Sequence, residues 1–243
     1  MSNLENANAP VPGSPPPRRT WDFMETVFVS LIAYGVYTLT AWIVLAIMLS
    51  ISDGPNTLSP TQFGARGAAY ILASPLTIAV LWIAIRMARR DFAEYLALNW
   101  PSTGQLMRAL AITAIVLLAE ILAGYAVGAK EVSPYLYLSA EGADELLIFL
   151  IGGCIAAPVV EEFVIRGFMF RGWSQSFLGP VGCIVLTSAV WGMMHTQYSW
   201  FGRLCIFVTG LAFGHFRWRT NSTWLTVMVH SAINILLFFA MGL

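Results

Sequence analysis

The chain has 243 residues, of which 58% are hydrophobic and 11% are charged, and its formal net charge is zero. Since about 25% charged residues are usual for soluble domains, this composition excludes an ordinary soluble protein and indicates an integral membrane protein surrounded by lipid. The balanced charge gives no reason to expect a nucleic-acid partner, and nothing in the composition defines the oligomeric state.

The N-terminal segment, residues 1–20, is polar and rich in proline, which predicts a disordered cytoplasmic tail. The apolar block that follows, from about Phe23 to Ile51, is much longer than the roughly 7 to 15 apolar residues of a signal peptide. We therefore expect it to remain as a membrane anchor and to begin a transmembrane domain that occupies residues 21–243.

Six further apolar blocks complete this domain. They run from about Ala68 to Met87, Leu106 to Val127, Glu145 to Leu178, Val181 to Gln197, Trp200 to Phe216 and Trp224 to Leu243. Seven blocks of about 20 residues fit a hydrocarbon core of about 30 Å, so the predicted fold is an all-α, polytopic bundle of about seven transmembrane helices. The mixed apolar and charged segment 91–98 is suited to the membrane interface.

The distribution of lysine and arginine predicts the orientation of the bundle. A cytoplasmic N-terminus places ten of the 13 basic residues on or toward the cytoplasm, in the direction that the positive-inside rule requires. The three that remain outside are Arg66, Lys130 and Arg203. An odd number of spans then predicts a non-cytoplasmic C-terminus.

The fourth block contains a cluster of charges, Glu161, Glu162 and Arg166, which is costly inside a bilayer and is therefore a functional hypothesis by default. On a helix Glu162 and Arg166 share a face, so we expect a structural ion pair. Glu161 is rotated by about 100° from its neighbour, and it is left to face a cavity as a general base or acid. Pro158 is expected to open the preceding turn and make room for a polar pocket.

Two later helices carry polar residues at a similar predicted depth. Trp191 is followed by His195, and His230 by Asn234, each at a spacing of four residues. At about 1.5 Å per residue from the predicted cytoplasmic ends, Glu161, His230 and His195 lie roughly 15, 14 and 21 Å into the membrane. This agreement in depth predicts that the three helices share one site.

The chemistry of this set has two interpretations. A carboxylate and an imidazole can deprotonate a water, while an imidazole and an amide N–H can stabilise an oxyanion, and together these are the parts of peptide hydrolysis. Glu161, His195 and His230 also have the composition of a zinc ligand set. The residues alone do not choose between a zinc ion and a metal-free site. Neither His-Glu-x-x-His nor Gly-x-Ser-x-Gly is present, so the common zinc-peptidase and serine-hydrolase interpretations have no support.

Three motifs occur in a characteristic order: Pro158-Val-Val-Glu161-Glu162-x-x-x-Arg166-Gly167, aromatic-x-x-x-His195, and His230-x-x-x-Asn234. This order resembles the CPBP family of intramembrane proteases, which includes the CAAX prenyl endopeptidases and bacterial relatives linked to bacteriocin processing or self-immunity. The resemblance covers about residues 145–240, the expected protease core.

The resemblance implies a multi-helix membrane endopeptidase that acts on a peptide or protein substrate. Glu161 and His195 look like the water-activating pair, and His230 and Asn234 look like the oxyanion-side pair. Descriptions of the family differ on whether a metal takes part. Trp191 stands where phenylalanine is usual; it keeps an aromatic wall, but its indole N–H needs a partner.

Other functions are weighed against the protease. A catalytically silent binding or immunity protein of the same fold is the alternative, and a transporter is a third class that would require internal repeats with paired broken helices. The two halves of the chain show no such correspondence, and the motif positions other than the aromatic are intact. Glu120 is left open between contact with the cavity and polar packing, while His215 is expected at the interface.

Overall fold

The computed structural model describes residues 19–51, 63–129 and 143–242, and these residues form eight helices and no strand. The helices are α1 (Phe23–Ile51), α2 (Phe63–Met87), α3 (Phe92–Leu96), α4 (Thr103–Val127), α5 (Ala143–Ser174), α6 (Gly179–Met194), α7 (Trp200–Thr220) and α8 (Thr223–Gly242). The predicted all-α fold class is confirmed. Residues 1–18 of the predicted tail and the polar segment 130–142 lie outside the described residues.

Five helices, α1, α2, α4, α5 and α8, are long and apolar enough to cross a membrane. The other two predicted spans are less typical. Helix α6 is apolar but has only 16 residues, and α7 has 21 residues but carries Arg203, Arg217 and Arg219. Each of the seven predicted apolar blocks forms one helix of the bundle, in agreement with the predicted count of about seven.

The inner helix of the bundle is α5, which carries Glu161 and Glu162. It packs against α1, α2, α3, α6, α7 and α8. Within its most apolar 18 residues 56% are buried, against 11% in α1 and 6% in α4. Charged side chains on α5 can therefore be enclosed by protein, whereas most of α1 and α4 is left to face lipid.

Helices α2 and α5 touch through their backbones at Gly67 and Gly152. A Cβ atom added at Gly67 would lie 2.5 Å from the carbonyl oxygen of Ile148, and one added at Gly152 would meet the backbone of Gly67. Small residues allow membrane helices to approach this closely. Helix α2 begins at Phe63, five residues before its predicted start, and the contact holds its first turns against α5.

Two wide turns interrupt α5. Gly152–Ala156 and Phe163–Met169 are π-helical, on either side of the α-helical segment Ala157–Glu162. Pro158 lacks the N–H that a continuous α-helix would use, and the first wide turn lies directly before it. The helix continues through this proline without a break. The two glutamates thus sit between π-helical segments, which are frequent at functional sites.

One end of the bundle gathers most of the arginines. The start of α1 meets the end of α2 there, where Arg19 N donates to Ala88 O at 3.3 Å, and the end of α5 meets α3, where Arg171 donates to Glu94 at 2.9 Å. The arginines at this end are Arg19, Arg86, Arg89, Arg90, Arg108, Arg171, Arg217 and Arg219. Arg66 and Arg203 lie at the opposite end. We call the first the arginine-rich end; its assignment to the cytoplasm stays a prediction.

Candidate active site

A cavity of about 510 Å³ lies inside the bundle. Glu161 of α5, His195 directly after α6, and both His230 and Asn234 of α8 line it. Helices α1 and α2 supply another part of its wall, including Tyr37. The structure therefore brings together the four polar side chains that the sequence singles out, although they come from separate parts of the chain.

The carboxylate of Glu161 is held by one hydrogen bond. Trp191 Nε1 donates to Glu161 Oε2 at 2.8 Å. Trp191 is the aromatic residue of the second motif, and the hydrogen-bond partner that its indole N–H requires is Glu161. Since the indole has a single N–H, it fixes one carboxylate oxygen and leaves Oε1 for the cavity.

Glu162 and Arg166 form an enclosed ion pair, and neither side chain has any exposed surface. Arg166 Nη1 donates to Glu162 Oε1 at 3.1 Å, and Nη2 donates to Gly210 O at 3.4 Å. The guanidinium carbon also lies 4.4 Å from the centre of the Trp191 ring. Charges can be buried to this degree when each has a partner, so the pair supports the structure around the cavity.

Glu162 has a second partner on another helix. His230 Nδ1 lies 3.1 Å from Glu162 Oε1. A carboxylate can only accept, so Nδ1 carries the hydrogen, and the Nε2 atom of the neutral imidazole keeps its lone pair. A contact of this kind fixes the tautomer and orientation of a histidine. Glu162 is therefore a positioning residue for His230.

The prediction that His195 lies within a helix is wrong. Helix α6 ends at Met194 rather than near Gln197, and His195 adopts φ −83° and ψ 60° outside it. Arg203 holds the loop that follows, with Nη2 donating to Thr196 O at 2.9 Å and Nε donating to Tyr198 O at 3.1 Å.

The imidazole of His195 turns back toward the helix that it follows. Its Nδ1 lies 2.8 Å from the carbonyl oxygen of Trp191. That oxygen can only accept, so Nδ1 carries a hydrogen, and in the neutral imidazole Nε2 then keeps its lone pair. An unprotonated Nε2 is the form that a proton acceptor requires.

Asn234 lies one helical turn after His230 and is anchored to α5. Its Nδ2 donates to Gly153 O at 3.1 Å, inside the first π-helical segment. An asparagine amide has two hydrogens, so the second is left over for another acceptor. The wide turn of α5 thus both accommodates Pro158 and orients a donor beside the cavity.

The donors proposed for zinc are not arranged as a metal site. Among the residues of ranges 19–51, 63–129 and 143–242, no group of three or more His, Cys, Asp or Glu side chains could hold a metal ion. In the proposed set, Oε2 of Glu161 bonds to Trp191 and Nδ1 of His230 faces Glu162, which leaves Oε1 and the Nε2 atoms to face a water or a metal. As placed, the three side chains are not gathered into a metal site, and a zinc ion bound by them stays a prediction.

Sequence reasoning missed Arg217, which supports the second wide turn. This residue is 3% exposed, and its Nε donates to Arg166 O at 2.9 Å while Nη1 donates to Asn221 Oδ1 at 2.9 Å. The bond to Arg166 O gives a carbonyl of the second π-helical segment a side-chain partner. Its setting between aromatic residues at a helix end is typical of an interfacial arginine, so the sequence carries no signal for this role.

Two further polar residues lie away from the cavity wall. Glu120 Oε1 accepts a hydrogen bond from Thr209 Oγ1 at 3.1 Å, which joins α4 to α7, and Glu120 does not line the cavity. Of the two alternatives left open, polar packing is the one observed. His215 is exposed near the arginine-rich end of α7.

The chain matches a known protein family over its second half. The family model of the type II CAAX prenyl endopeptidase Rce1-like proteins matches residues 143–236. This range runs from the start of α5 into α8 and contains Glu161, His195, His230 and Asn234. Neither the comparison with curated proteins nor the comparison with solved structures gives a match.

Proposed function

We propose that this chain is a member of the CPBP family of CAAX-type intramembrane proteases and that it hydrolyses a peptide bond with a water activated by Glu161. The observation that carries the proposal is the convergence of Glu161, His195, His230 and Asn234 on one cavity within a membrane bundle. The substrate class is a membrane-associated peptide or protein, because the cavity is enclosed by transmembrane helices.

The first step uses the free oxygen of Glu161. Oε1 accepts a proton from the water as the water oxygen attacks the scissile carbonyl carbon, and His195 Nε2 accepts a hydrogen bond from the same water to orient it. The carbonyl π electrons move onto the carbonyl oxygen. The tetrahedral oxyanion that results accepts a hydrogen bond from the amide hydrogen of Asn234 that Gly153 does not use.

The second step breaks the bond between the carbonyl carbon and the amide nitrogen. The electron pair of the oxyanion re-forms the carbonyl, and the leaving nitrogen takes the proton that Glu161 received from the water. The hydroxyl of the water ends in the new carboxyl group, and its proton ends on the new amine. Glu161 returns to its ionised form, so no other reactant is consumed.

The access route to the cavity follows from which helix halves line it. Trp42 lies toward the end of α1, Phe63 and Arg66 lie at the start of α2, and Thr196 follows α6. All four are at the end of the bundle opposite to the arginine-rich end. With a cytoplasmic N-terminus, the substrate would enter from the non-cytoplasmic half of the membrane.

A cleavage assay in heavy-oxygen water tests the proposed function. The purified protein in lipid vesicles is incubated with membrane-associated peptides, supplied with and without a prenyl group, and the products are read by mass spectrometry. We expect a new C-terminus that carries heavy oxygen, and no product from Glu161→Gln. A folded wild-type protein that binds such peptides and releases no product would instead support the silent binding or immunity protein.

Metal dependence is tested on the same preparation. We expect cleavage to persist after treatment with a chelator and removal of the chelated metal, because the proposed steps use only side chains and water. Loss of cleavage that zinc alone restores would contradict the metal-free mechanism and would mean that Glu161, His195 and His230 rearrange to bind the metal.

A further inference from the structure

The helices outside the matched family region supply part of the cavity wall. Tyr34 and Tyr37 of α1 and Tyr70 of α2 all line the cavity. The charge of Glu161 lies close enough to interact electrostatically with each of these phenol groups. A cluster of three tyrosines beside an acid is not explained by the apolar character of the two helices.

Tyr37 has the most unusual environment of the three. It is 8% exposed, and its hydroxyl oxygen is buried without a hydrogen-bond partner among the described residues. The buried Tyr95 shows the usual arrangement, since its hydroxyl accepts a hydrogen bond from Trp21 N at 3.3 Å. Leaving a buried hydroxyl unpaired costs free energy, and each such group in a native protein calls for an explanation.

The position of the Tyr37 ring is fixed by packing. It stacks on Tyr70 with the ring centres 6.2 Å apart and the planes inclined by 13°. Because the ring is held between α1 and α2, its hydroxyl cannot turn to a distant partner at little cost. A phenylalanine would fill the same space without the unpaired group, so packing alone does not explain the hydroxyl.

The oxyanion of the proposed first step needs hydrogen-bond donors, and His230 and Asn234 offer few. The single N–H of neutral His230 is directed to Glu162, and one of the two amide hydrogens of Asn234 is directed to Gly153. One amide hydrogen is therefore the only donor that these two residues offer while His230 is neutral. Stabilising an oxyanion is most effective with several donors held in place beforehand.

We propose that the Tyr37 hydroxyl donates a hydrogen bond to the scissile carbonyl oxygen of the bound peptide and strengthens it as negative charge develops there. This inference rests on the proposed function. The hydroxyl keeps its proton throughout, so the balance of the hydrolysis is unchanged. The scissile carbonyl oxygen then serves as the hydrogen-bond partner that the Tyr37 hydroxyl lacks among the described residues.

The test is Tyr37→Phe, which removes the hydroxyl and keeps the ring. We expect kcat to fall at least 10-fold with KM changed less than 2-fold, because the bond is strongest in the transition state. We also expect the midpoint of thermal unfolding to stay the same or rise, because an unpaired buried group is removed. Tyr125→Phe, at an 81% exposed position on α4, is the matched control and should change neither quantity.

Each other outcome overturns the inference in an identifiable way. An unchanged kcat in Tyr37→Phe would show that the hydroxyl takes no part in the reaction, and the proposed function would still stand. A lowered unfolding midpoint or a failure to fold would assign the hydroxyl a structural partner. If wild-type protein itself cleaves no peptide, the proposed function fails first, and the role of Tyr37 fails with it.

Discussion

Trp191 Nε1 donates a 2.8 Å hydrogen bond to Glu161 Oε2, which ties the last turn of α6 to the middle of α5. The same indole ring lies 4.4 Å from the guanidinium carbon of Arg166. One side chain therefore orients the proposed base and also packs on the ion pair behind it. This arrangement gives the tryptophan a function that phenylalanine could fill only in part.

The first prediction concerns Trp191→Phe. The variant keeps an aromatic face for Arg166 but loses the N–H that fixes Glu161. A hydrogen bond to a charged group contributes about 1.5 to 3 kcal/mol, so we expect kcat to fall about 10- to 100-fold. Peptide cleavage is the measurement, and Trp42→Phe, at a 62% exposed position on the same cavity, is the control. Unchanged cleavage by Trp191→Phe would show that Glu161 needs no such support.

The second prediction is that Glu162, unlike its neighbour Glu161, is needed for the stability of the folded protein. Glu162→Gln leaves Arg166 buried without its counter-charge and weakens the contact to His230. Breaking a buried pair typically costs about 3 to 5 kcal/mol, so we expect a large loss of folded protein. Thermal unfolding in detergent is the measurement.

Glu94→Gln is the matched control for that variant. Glu94 also pairs with arginine, but its side chain is 47% exposed. Exposed ion pairs contribute about 0 to 1 kcal/mol, so this variant should unfold almost as the wild type does. Equal losses in Glu94→Gln and Glu162→Gln would show that burial does not govern the importance of these pairs.

The third prediction concerns the backbone contact between α2 and α5. In Gly67→Ala the new methyl group would lie 2.5 Å from the carbonyl oxygen of Ile148, so the two helices must separate. Overpacking of this kind costs about 1 to 3 kcal/mol, and we expect a lower unfolding midpoint. Gly35→Ala on α1 has no atom within 4 Å of the new methyl group and should be neutral or slightly stabilising. The opposite ranking of the two variants would argue against this helix contact.

The fourth prediction concerns orientation. A reporter fused after Leu243 should be found on the non-cytoplasmic side. In intact cells, a membrane-impermeant thiol reagent should label Arg66→Cys at the cavity mouth and should label Arg219→Cys only after permeabilisation. Reversed labelling would move the cavity mouth to the cytoplasmic side and would require a cytoplasmic entry route for the substrate.

The sequence was sufficient to predict contacts between residues one helical turn apart, but not contacts between residues far apart in the chain. The pairing of Glu162 with Arg166 follows from a spacing of four, as does the placing of His230 and Asn234 on one face of α8. The second partner of Glu162 is 68 residues away, and the partner of Glu161 is 30 residues away. Spacing along one helix contains no information on which side chains of other helices approach it.

The local errors have physical reasons as well. The sequence predicted the end of α6 near Gln197 rather than at Met194, because residue patterns locate a helix end only to within a few residues, and the contact of Arg203 with the following loop is not visible in them. The wide turns of α5 depend on partners such as Arg217, which comes from α7. The tyrosines of α1 lie in an ordinary apolar block, and only the packing of α1 on α2 brings them to the cavity.

The most direct measurement of the central claim compares Glu161→Gln with wild-type protein in the vesicle cleavage assay, with unfolding midpoints recorded for both. Glutamine has nearly the same shape but cannot take the proton of the water. General base catalysis contributes about 100- to 10,000-fold, so we predict a loss of that size at an almost unchanged midpoint. Contrary evidence would be a Glu161→Gln protein that cleaves at the wild-type rate, above all if Glu162→Gln is folded and inactive, because the roles of the two carboxylates would then be exchanged.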